Sequence, residues 1–483
     1  MTIANRPNIV YILADDMGYG DISYLNEQSK LNTQYLDRMA REGMAFTDAH
    51  SSSAVCTPSR YSILTGRYNW RSTLKRSVLF GYDAPLIERG RMTVASMLKE
   101  AGYRTACIGK WHLGLDWARN GENKEDVDFT QPVGGGPTEY GFDYFFGISA
   151  SLDMAPYVYI ENDRVTALPD KVTENRDSMM MWRSGPTAPD FKHEQVLQTL
   201  TQKVLNTLKA YREEPFYIYF PLTAPHTPIL PSYEFKGKSG TNIYGDFVLM
   251  CDDVVGQINA KLEDLGLSDN TIVIFTSDNG CSPKANYPEL AQHGHNPSYI
   301  FRGTKADIFE GGHRIPLIIK WPARIPAGAV CDETVCLVDF MRTAAELVGY
   351  KLPDSAGEDS VSNLPLWLGE PPAAPLREAV VHHSIDGSFS IRQGNWKLEL
   401  CPGSGGWSDP VPGKEEADLP PTQLYDLELD IGERRNVWDQ HPEVVERLRS
   451  LLISYIENGR STPGATQSNA DKADWPQLEK VRG

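Results

Sequence analysis

The run Asn8–Leu13 reads NIVYIL and is followed at once by Ala14-Asp15-Asp16. After Asn8 it is apolar without a break. A strand with one wet face would alternate apolar and polar residues, so a continuous run predicts a strand covered on both sides, as in a parallel sheet. The same pattern recurs further along. Asn32–Glu42 has helical spacing. Met92–Ala101 reads as a helix closed by Gly102 and leads into the strand Tyr103–Ile108. His193–Arg212 reads as a helix before the strand Phe216–Phe220 (FYIYF), and Asp246–Leu265 as a helix before Thr271–Thr276 (TIVIFT). Helices alternating with buried strands predict an α/β fold, a mostly parallel sheet sandwiched by helices. Gln131–Pro137 (QPVGGGP) reads as a loop. Composition shifts over Lys351–Pro375, which is rich in Pro, Ser, Gly and acidic residues. Beyond it come the strand-like pieces Ser390–Leu400 and Gln423–Leu427 and a helix over Glu443–Asn458. The expected organisation is a large α/β domain over 1–350 and a smaller α+β subdomain over 376–483, with a short antiparallel sheet and a terminal helix. No internal repeat is evident.

The chain has 483 residues, 41% hydrophobic and 23% charged, an ordinary globular composition. That length buries about three quarters of the unfolded surface without help from disulfides. Lysine plus arginine is 47 and aspartate plus glutamate is 64, a net charge of −17. With no long basic run to offset it, nucleic-acid binding is not expected. An anionic ligand would need a local cluster of cations to overrule the global field. The seven cysteines are odd in number and irregular in spacing, so no disulfide framework is expected. Cys107 lies in an apolar run and reads as core. Cys331 and Cys336 lack the second Cys/His pair of a zinc finger and read as structural. No basic segment with an apolar stretch precedes the first strand, and no run reaches 18 apolar residues. The expectation is a protein without membrane contact, cytoplasmic as the sequence stands, or periplasmic or secreted if a leader precedes it.

Ligands of open α/β sheets bind beyond the carboxyl ends of the strands. The first strand is followed by Asp15-Asp16, the second by Gly109-Lys110-Trp111-His112-Leu113-Gly114, the third by Pro221–Pro228 with His226, and the fourth by Ser277-Asp278-Asn279-Gly280. Alone, Asp15-Asp16 reads as a cap or turn and Ser277–Gly280 as a plain turn. Together, Asp15, Asp16, Asp278 and Asn279 offer hard oxygen ligands, which suit Ca²⁺ or Mg²⁺ and disfavour zinc. A further signal is Cys56-Thr57-Pro58-Ser59-Arg60, followed by Leu64-Thr65-Gly66-Arg67. Pro58 suits the first turn of a helix. Cys56 then stands at a helix N-terminus, where anions bind, or is an idle buried cysteine before a helix.

Cys56–Arg60 with Leu64–Arg67 resembles the signature of the formylglycine-dependent (type I) sulfatases, and Gly109–Gly114 resembles their second signature. Asp15-Asp16 and Asp278-Asn279 fall in the family's order. The resemblance runs from about Asn8 to about Gly349. It resumes more weakly at Asn395-Trp396-Lys397-Leu398 and at Gln423–Leu427. It leans toward the arylsulfatase A and N-acetylgalactosamine-6-sulfatase branch. It implies an alkaline-phosphatase-like fold: a large mixed, mostly parallel sheet sandwiched by helices, with a smaller C-terminal α+β subdomain carrying an antiparallel sheet.

The resemblance also implies roles. A maturation enzyme, formylglycine-generating or radical, oxidises Cys56 to formylglycine, whose hydrate attacks sulfur with one oxygen and expels sulfate through the other. Ca²⁺, or Mg²⁺, is held by Asp15, Asp16, Asp278, Asn279 and residue 56. Asp278 serves as base, and Arg60 fixes the hydrated aldehyde. Lys110 and Lys305 bind sulfate. His226, with Lys305, protonates the leaving alcohol, and His112 takes the proton of the second hydroxyl. Read alone, Lys305 is a solvated lysine. The following Glu310-Gly311-Gly312-His313-Arg314-Ile315-Pro316 resembles the family's E-G-G-x-R-x-P stretch and supports the assignment, with His313 bracing the loop. His293-Gly294-His295-Asn296-Pro297 reads as a solvent loop or a sugar contact. His295 is the candidate there, beside the substrate-binding residues Lys110, His226 and Lys305. His382-His383 reads as structure or pocket edge, and Trp70, Arg71 and Tyr82 as candidates for the mouth. The implied substrate is the sulfate ester of a small molecule or carbohydrate, such as 6-O-sulfated galactose or N-acetylgalactosamine. The acidic net charge favours a pocket for a small sugar over a polyanion groove. The alternative is a phosphonate monoester or phosphodiester hydrolase of the same superfamily. A non-catalytic metal-binding or glycan-binding relative would lack Cys56, Lys110 or a histidine, and none is missing.

Overall fold

The computed structural model describes residues 6–370, 373–414, 416, 418–470 and 476–482. The first five residues, Pro371 and Pro372 of the composition shift, and residues 415, 417, 471–475 and 483 of the expected C-terminal subdomain lie outside the described residues.

The strand Asn8–Asp15 is buried along its whole length and lies inside a ten-stranded sheet. From one edge the order is Ala329–Cys331, Met44–Phe46, Leu317–Lys320, Thr271–Ser277, Asn8–Asp15, Phe216–Pro225, Arg104–Lys110, Tyr144–Ile148, Ile160–Glu161 and Arg164–Val165. The five strands from Thr271–Ser277 to Tyr144–Ile148 run parallel. Ile12 lies opposite Phe220 on one side and Phe275 on the other. Antiparallel pairing begins at Leu317–Lys320 on one flank and at Ile160–Glu161 on the other. The helices Gln34–Glu42, Val196–Tyr211 and Ile243–Asp264 pack together on one face. Cys56–Thr65, Val94–Glu100 and Phe340–Val348 form a second packed group. Phe340 meets Tyr11 and Tyr217 of the sheet at ring-centroid distances of 4.7 and 6.0 Å. This is the alkaline-phosphatase-like architecture, a large mixed sheet between helices.

The smaller C-terminal sheet is antiparallel, in the order Val380–His383, Phe389–Gln393, Trp396–Glu399, Gln423–Asp426. The single strand expected over Ser390–Leu400 is two strands. Gln393 pairs with Trp396 across Gly394-Asn395, and Gly394 has φ +57°. A two-residue hairpin loop needs such left-handed backbone, which glycine supplies freely. The helix Pro442–Glu457 covers this sheet, and a further helix, Pro476–Arg482, packs on it. Their shared core also takes Tyr68 and Trp70 from the N-terminal part. Within the Lys351–Pro375 segment Ala356, Glu358, Asp359 and Ser360 are buried, and Asp359 receives the Arg71 guanidinium at 2.8 Å.

All seven cysteines are free. Cys107 is fully buried in the main core. Among the described residues no helix is long and apolar enough to cross a membrane.

Candidate active site

The carboxyl ends of four parallel strands and one helix N-terminus meet at one point. Asp15 closes its strand, and Asp16 follows with φ +67°. Lys110 closes Arg104–Lys110, and His112 follows with φ +58°. His226 follows Phe216–Pro225, and Asp278 and Asn279 follow Thr271–Ser277. Cys56 is the first residue of Cys56–Thr65, with Pro58 in the first turn and Gly66 (φ +63°) closing the helix. Every residue of that helix is buried; it packs against Val94–Glu100, Leu337–Asp339 and Phe340–Val348.

Three cations face three carboxylates. Arg60 Nε and Nη2 donate to Asp278 Oδ2 at 3.0 and 2.7 Å, and Nη1 donates to the Lys110 carbonyl at 3.0 Å. Lys110 Nζ donates to both Asp15 oxygens at 2.9 and 2.7 Å. Lys305 Nζ donates to Asp16 Oδ1 at 2.6 Å and lies 3.3 Å from Cys56 Sγ. Cys56 Sγ in turn lies 3.7 Å from Asp15 Oδ1. Burial alone would raise the Asp15 carboxyl; Lys110, His226, Arg60 and Lys305 outweigh it and hold Asp15 well below the usual carboxylate range. Burial raises Asp278, with Arg60 pulling the other way. The Cys56 thiol is pushed up to about 12, chiefly by burial.

The two histidines differ. His112 Nε2 lies 2.8 Å from the Leu79 carbonyl and donates to it, leaving the buried Nδ1 without a partner. Burial, then Lys110 and Arg60, hold this ring well below the usual histidine range, so it is neutral. His226 Nδ1 contacts the Thr227 carbonyl, and Nε2 lies 3.7 Å from Asp16 Oδ2.

The donor set fits a hard cation. Atoms of Asp15, Asp16, Cys56 and His226 lie within 4.8 Å of one another. Asn279 donates from Nδ2 to Asp16 Oδ1 at 2.8 Å, while its Oδ1 is buried without a hydrogen-bond partner. An orphaned amide oxygen beside three carboxylates is the kind of oxygen donor that suits a hard cation such as Ca²⁺ or Mg²⁺.

A cleft of about 1110 Å³ opens over this centre, lined by Cys56, His112, His226 and Lys305. Its walls carry residues that the sequence did not single out: Phe80, Trp407, Lys284 and the ion pair Asp153–Arg183. Asp153 is 5% exposed, and its Oδ1 has no hydrogen-bond partner. These residues come from separate segments with no shared spacing, Arg183 from the strand Trp182–Thr187, so no local signal marks them.

Some candidates lie elsewhere. His295, expected at the sugar, is a correction. Its side chain is fully buried, donating from Nε2 to Asp21 Oδ1 at 2.9 Å, and it does not line the cleft. His382 is buried and stacked on His313 at 3.7 Å, and His383 is buried against Asn69. Trp70, Arg71 and Tyr82 do not line the mouth. Trp70 sits in the second core, Arg71 on Asp359, and Tyr82 in the main core. His313 is buried with Nε2 3.0 Å from the Ile308 carbonyl.

The sulfatase family model matches residues 7–350. The chain is 35% identical over 491 residues to an N-acetylgalactosamine-6-O-sulfatase of Bacteroides thetaiotaomicron, covering 93% of each. It is 33% identical over 492 residues to the N-acetylgalactosamine-6-sulfatase of Homo sapiens, covering 97% of this chain and 88% of that one. Among solved structures it is similar to a Bacteroides thetaiotaomicron protein described with the metabolism of multiple glycosaminoglycans. The TM-score is 0.82 and the identity 34%, covering 93% of this chain and 99% of that one.

Proposed function

Because the chain belongs to the sulfatase family of sulfuric ester hydrolases, we propose that it desulfates a carbohydrate, using formylglycine made from Cys56 and a bound calcium ion. The observation that carries this reading is the convergence of Cys56 with Arg60, Lys110 and Lys305 and with the oxygens of Asp15, Asp16, Asp278 and Asn279. The names of the similar proteins favour 6-sulfated N-acetylgalactosamine or galactose as the substrate.

Asp15, Asp16, Asp278 and Asn279 would hold the cation. When bound, a hard divalent ion supplies Lewis acidity toward the sulfate and the attacking hydroxyl. The hydrated aldehyde at position 56 would supply two hydroxyls, one to attack sulfur and one to lose its proton as sulfate leaves. Lys110 and Lys305 bind sulfate oxygens and stabilise charge that moves onto them. Arg60, braced on Asp278 and the Lys110 carbonyl, fixes residue 56. His226 carries a proton to the leaving alcohol, and His112 receives one at its unpartnered Nδ1. Asp153 Oδ1 and Arg183 offer an acceptor and a donor to sugar hydroxyls, and Phe80 and Trp407 offer half-exposed aromatic faces. At about 1110 Å³ the cleft has room beyond one sulfated ring.

The test is desulfation of defined mono- and disaccharides by matured enzyme. Matched 6- and 4-sulfated galactosamines are assayed beside aryl sulfate and aryl phosphonate esters, and compared by kcat/KM. We expect the 6-sulfated galactosamine to be preferred by at least about 100-fold over its 4-sulfated isomer. A higher value on the phosphonate than on any sulfate would replace this reading with the hydrolase alternative.

The two histidines are separable by step. A sugar alkoxide needs a proton in the transition state, whereas a nitrophenolate barely does. His226→Ala is expected to lose about 10²–10⁴-fold in kcat/KM on a sugar sulfate and far less on nitrophenyl sulfate. His112→Ala is expected to release one equivalent of alcohol and then stall with sulfate on residue 56, as seen by rapid quench and intact-protein mass spectrometry. A trapped adduct in His226→Ala but not in His112→Ala would show the roles reversed.

A further inference from the structure

We infer that Asp21, held by His295 and Tyr244, is a positioning residue for the Asp15–Asp16 turn, so that the loop His293–Pro297 serves the cation site from behind. This rests on the cation reading above. Asp16 has φ +67°, left-handed backbone that a non-glycine residue keeps only when its surroundings hold it there. The Asp16 amide donates to Asp278 Oδ1 at 3.2 Å and the Met17 amide to Ser277 Oγ at 2.9 Å, which ties the turn to the neighbouring strand end. On its other side the turn is tied to Asp21. Gly18 N–H and the Tyr244 hydroxyl donate to Asp21 Oδ2 at 2.8 and 2.5 Å, and His295 donates to Oδ1 at 2.9 Å. Lys30 N–H faces His295 Nδ1 at 3.4 Å, which leaves the ring's proton on the nitrogen that meets Asp21. The Tyr244 oxygen also lies 3.4 Å from the Asp16 carbonyl, so one side chain touches both the brace and the turn.

The loop is pressed onto the turn through backbone as well. Gly20 N–H donates to the Pro297 carbonyl at 2.7 Å. A Cβ on Gly18 would meet that carbonyl oxygen at 2.2 Å, and one on Gly20 would meet the Asn296 oxygen at 2.2 Å. Asp21 is fully buried, so its carboxylate depends on these donors. Groups that orient metal ligands from behind typically change metal affinity by 10–100-fold when removed.

The experiment is calorimetric titration of metal-stripped protein with calcium chloride, with thermal unfolding in EDTA run in parallel. The proteins are wild type, Tyr244→Phe, His295→Leu and His295→Gln. Tyr244→Phe and His295→Leu are expected to bind calcium about 10–100-fold more weakly. His295→Gln keeps an amide N–H for Asp21 and is expected to recover most of the affinity. A residue that only stabilises the fold would lower the melting temperature in EDTA and leave the affinity alone. Affinities within about twofold of wild type in both Tyr244→Phe and His295→Leu, with wild type binding one ion, would overturn the inference. If wild type binds no divalent ion, the cation reading fails first and this inference falls with it. Should His295→Leu not fold, Tyr244→Phe decides, because it removes a single hydroxyl.

Discussion

Cys56→Ala protein is expected to lose sulfatase turnover by on the order of 10⁶-fold, the scale seen when a covalent nucleophile is removed. The side chain is small and sits at the first position of a buried helix, so alanine leaves the fold in place and the loss is chemical. The thiol is no substitute for the modified residue. It is buried, and burial outweighs Lys110 and Lys305 in setting its proton affinity, so at neutral pH it is a protonated thiol. Activity of the wild type should therefore follow the fraction of residue 56 converted to aldehyde. Co-expression with a formylglycine-generating enzyme should raise both together, read by aldehyde labelling of the Cys56 peptide and by kcat. Equal activity in Cys56→Ala and wild type would remove Cys56 from the chemistry.

Chelation is expected to lower kcat/KM by about 10³-fold or more, since a Lewis acid at the reacting oxygens contributes several kcal/mol to the transition state. Calcium should restore activity better than zinc, because the donor set is carboxylates and an amide with no thiolate left after modification. Asp278→Asn should be affected beyond a lost ligand. Arg60 Nε and Nη2 both rest on Asp278 Oδ2, so the same change loosens the guanidinium proposed to fix residue 56. The measurement is activity after exhaustive chelation and add-back, with elemental analysis of the protein. Full activity with no metal present would sink the calcium proposal.

Four neighbouring strands of the central sheet were legible because they are buried on both faces, whereas Tyr144–Ile148 and Leu317–Lys320, also apolar but only five and four residues long, were not read as strands. Asn8–Asp15, Phe216–Pro225 and Thr271–Ser277 announce themselves as unbroken apolar runs. Asp15, Asp16, Lys110, His112, His226, Asp278 and Asn279 were legible for a related reason: each closes or closely follows a buried strand, and strand ends converge in a parallel sheet. Lys305 follows no strand, and composition alone leaves it a surface lysine; only its resemblance-bearing neighbourhood suggested otherwise. His295 was misread because a polar loop looks exposed until its partner is known. That partner, Asp21, is 274 residues away. The strands Lys171–Asn175 and Trp182–Thr187 went unseen because they are short and largely polar and form a sheet of only two strands. Arg183 lies on the second of them, so the cleft wall was hidden with it. At Gly394 the error was one of continuity, since a hairpin of two residues hardly interrupts the apolar pattern of Ser390–Leu400.

The second core has a bearing on the order in which the molecule can be completed. Tyr68 and Trp70 leave the N-terminal half to pack with Phe389, Ile391 and Leu398, under the helices Pro442–Glu457 and Pro476–Arg482. During synthesis the chain therefore carries two large aromatic side chains through more than 300 further residues before the C-terminal sheet arrives to complete their packing. Exposed apolar surface of this kind is what chaperones recognise and what aggregates. A fragment ending near residue 350 would keep only Cys336 and Val338 of that core beside Tyr68 and Trp70, however complete its catalytic groups. The C-terminal sheet is thus a lid that the nascent chain must wait for.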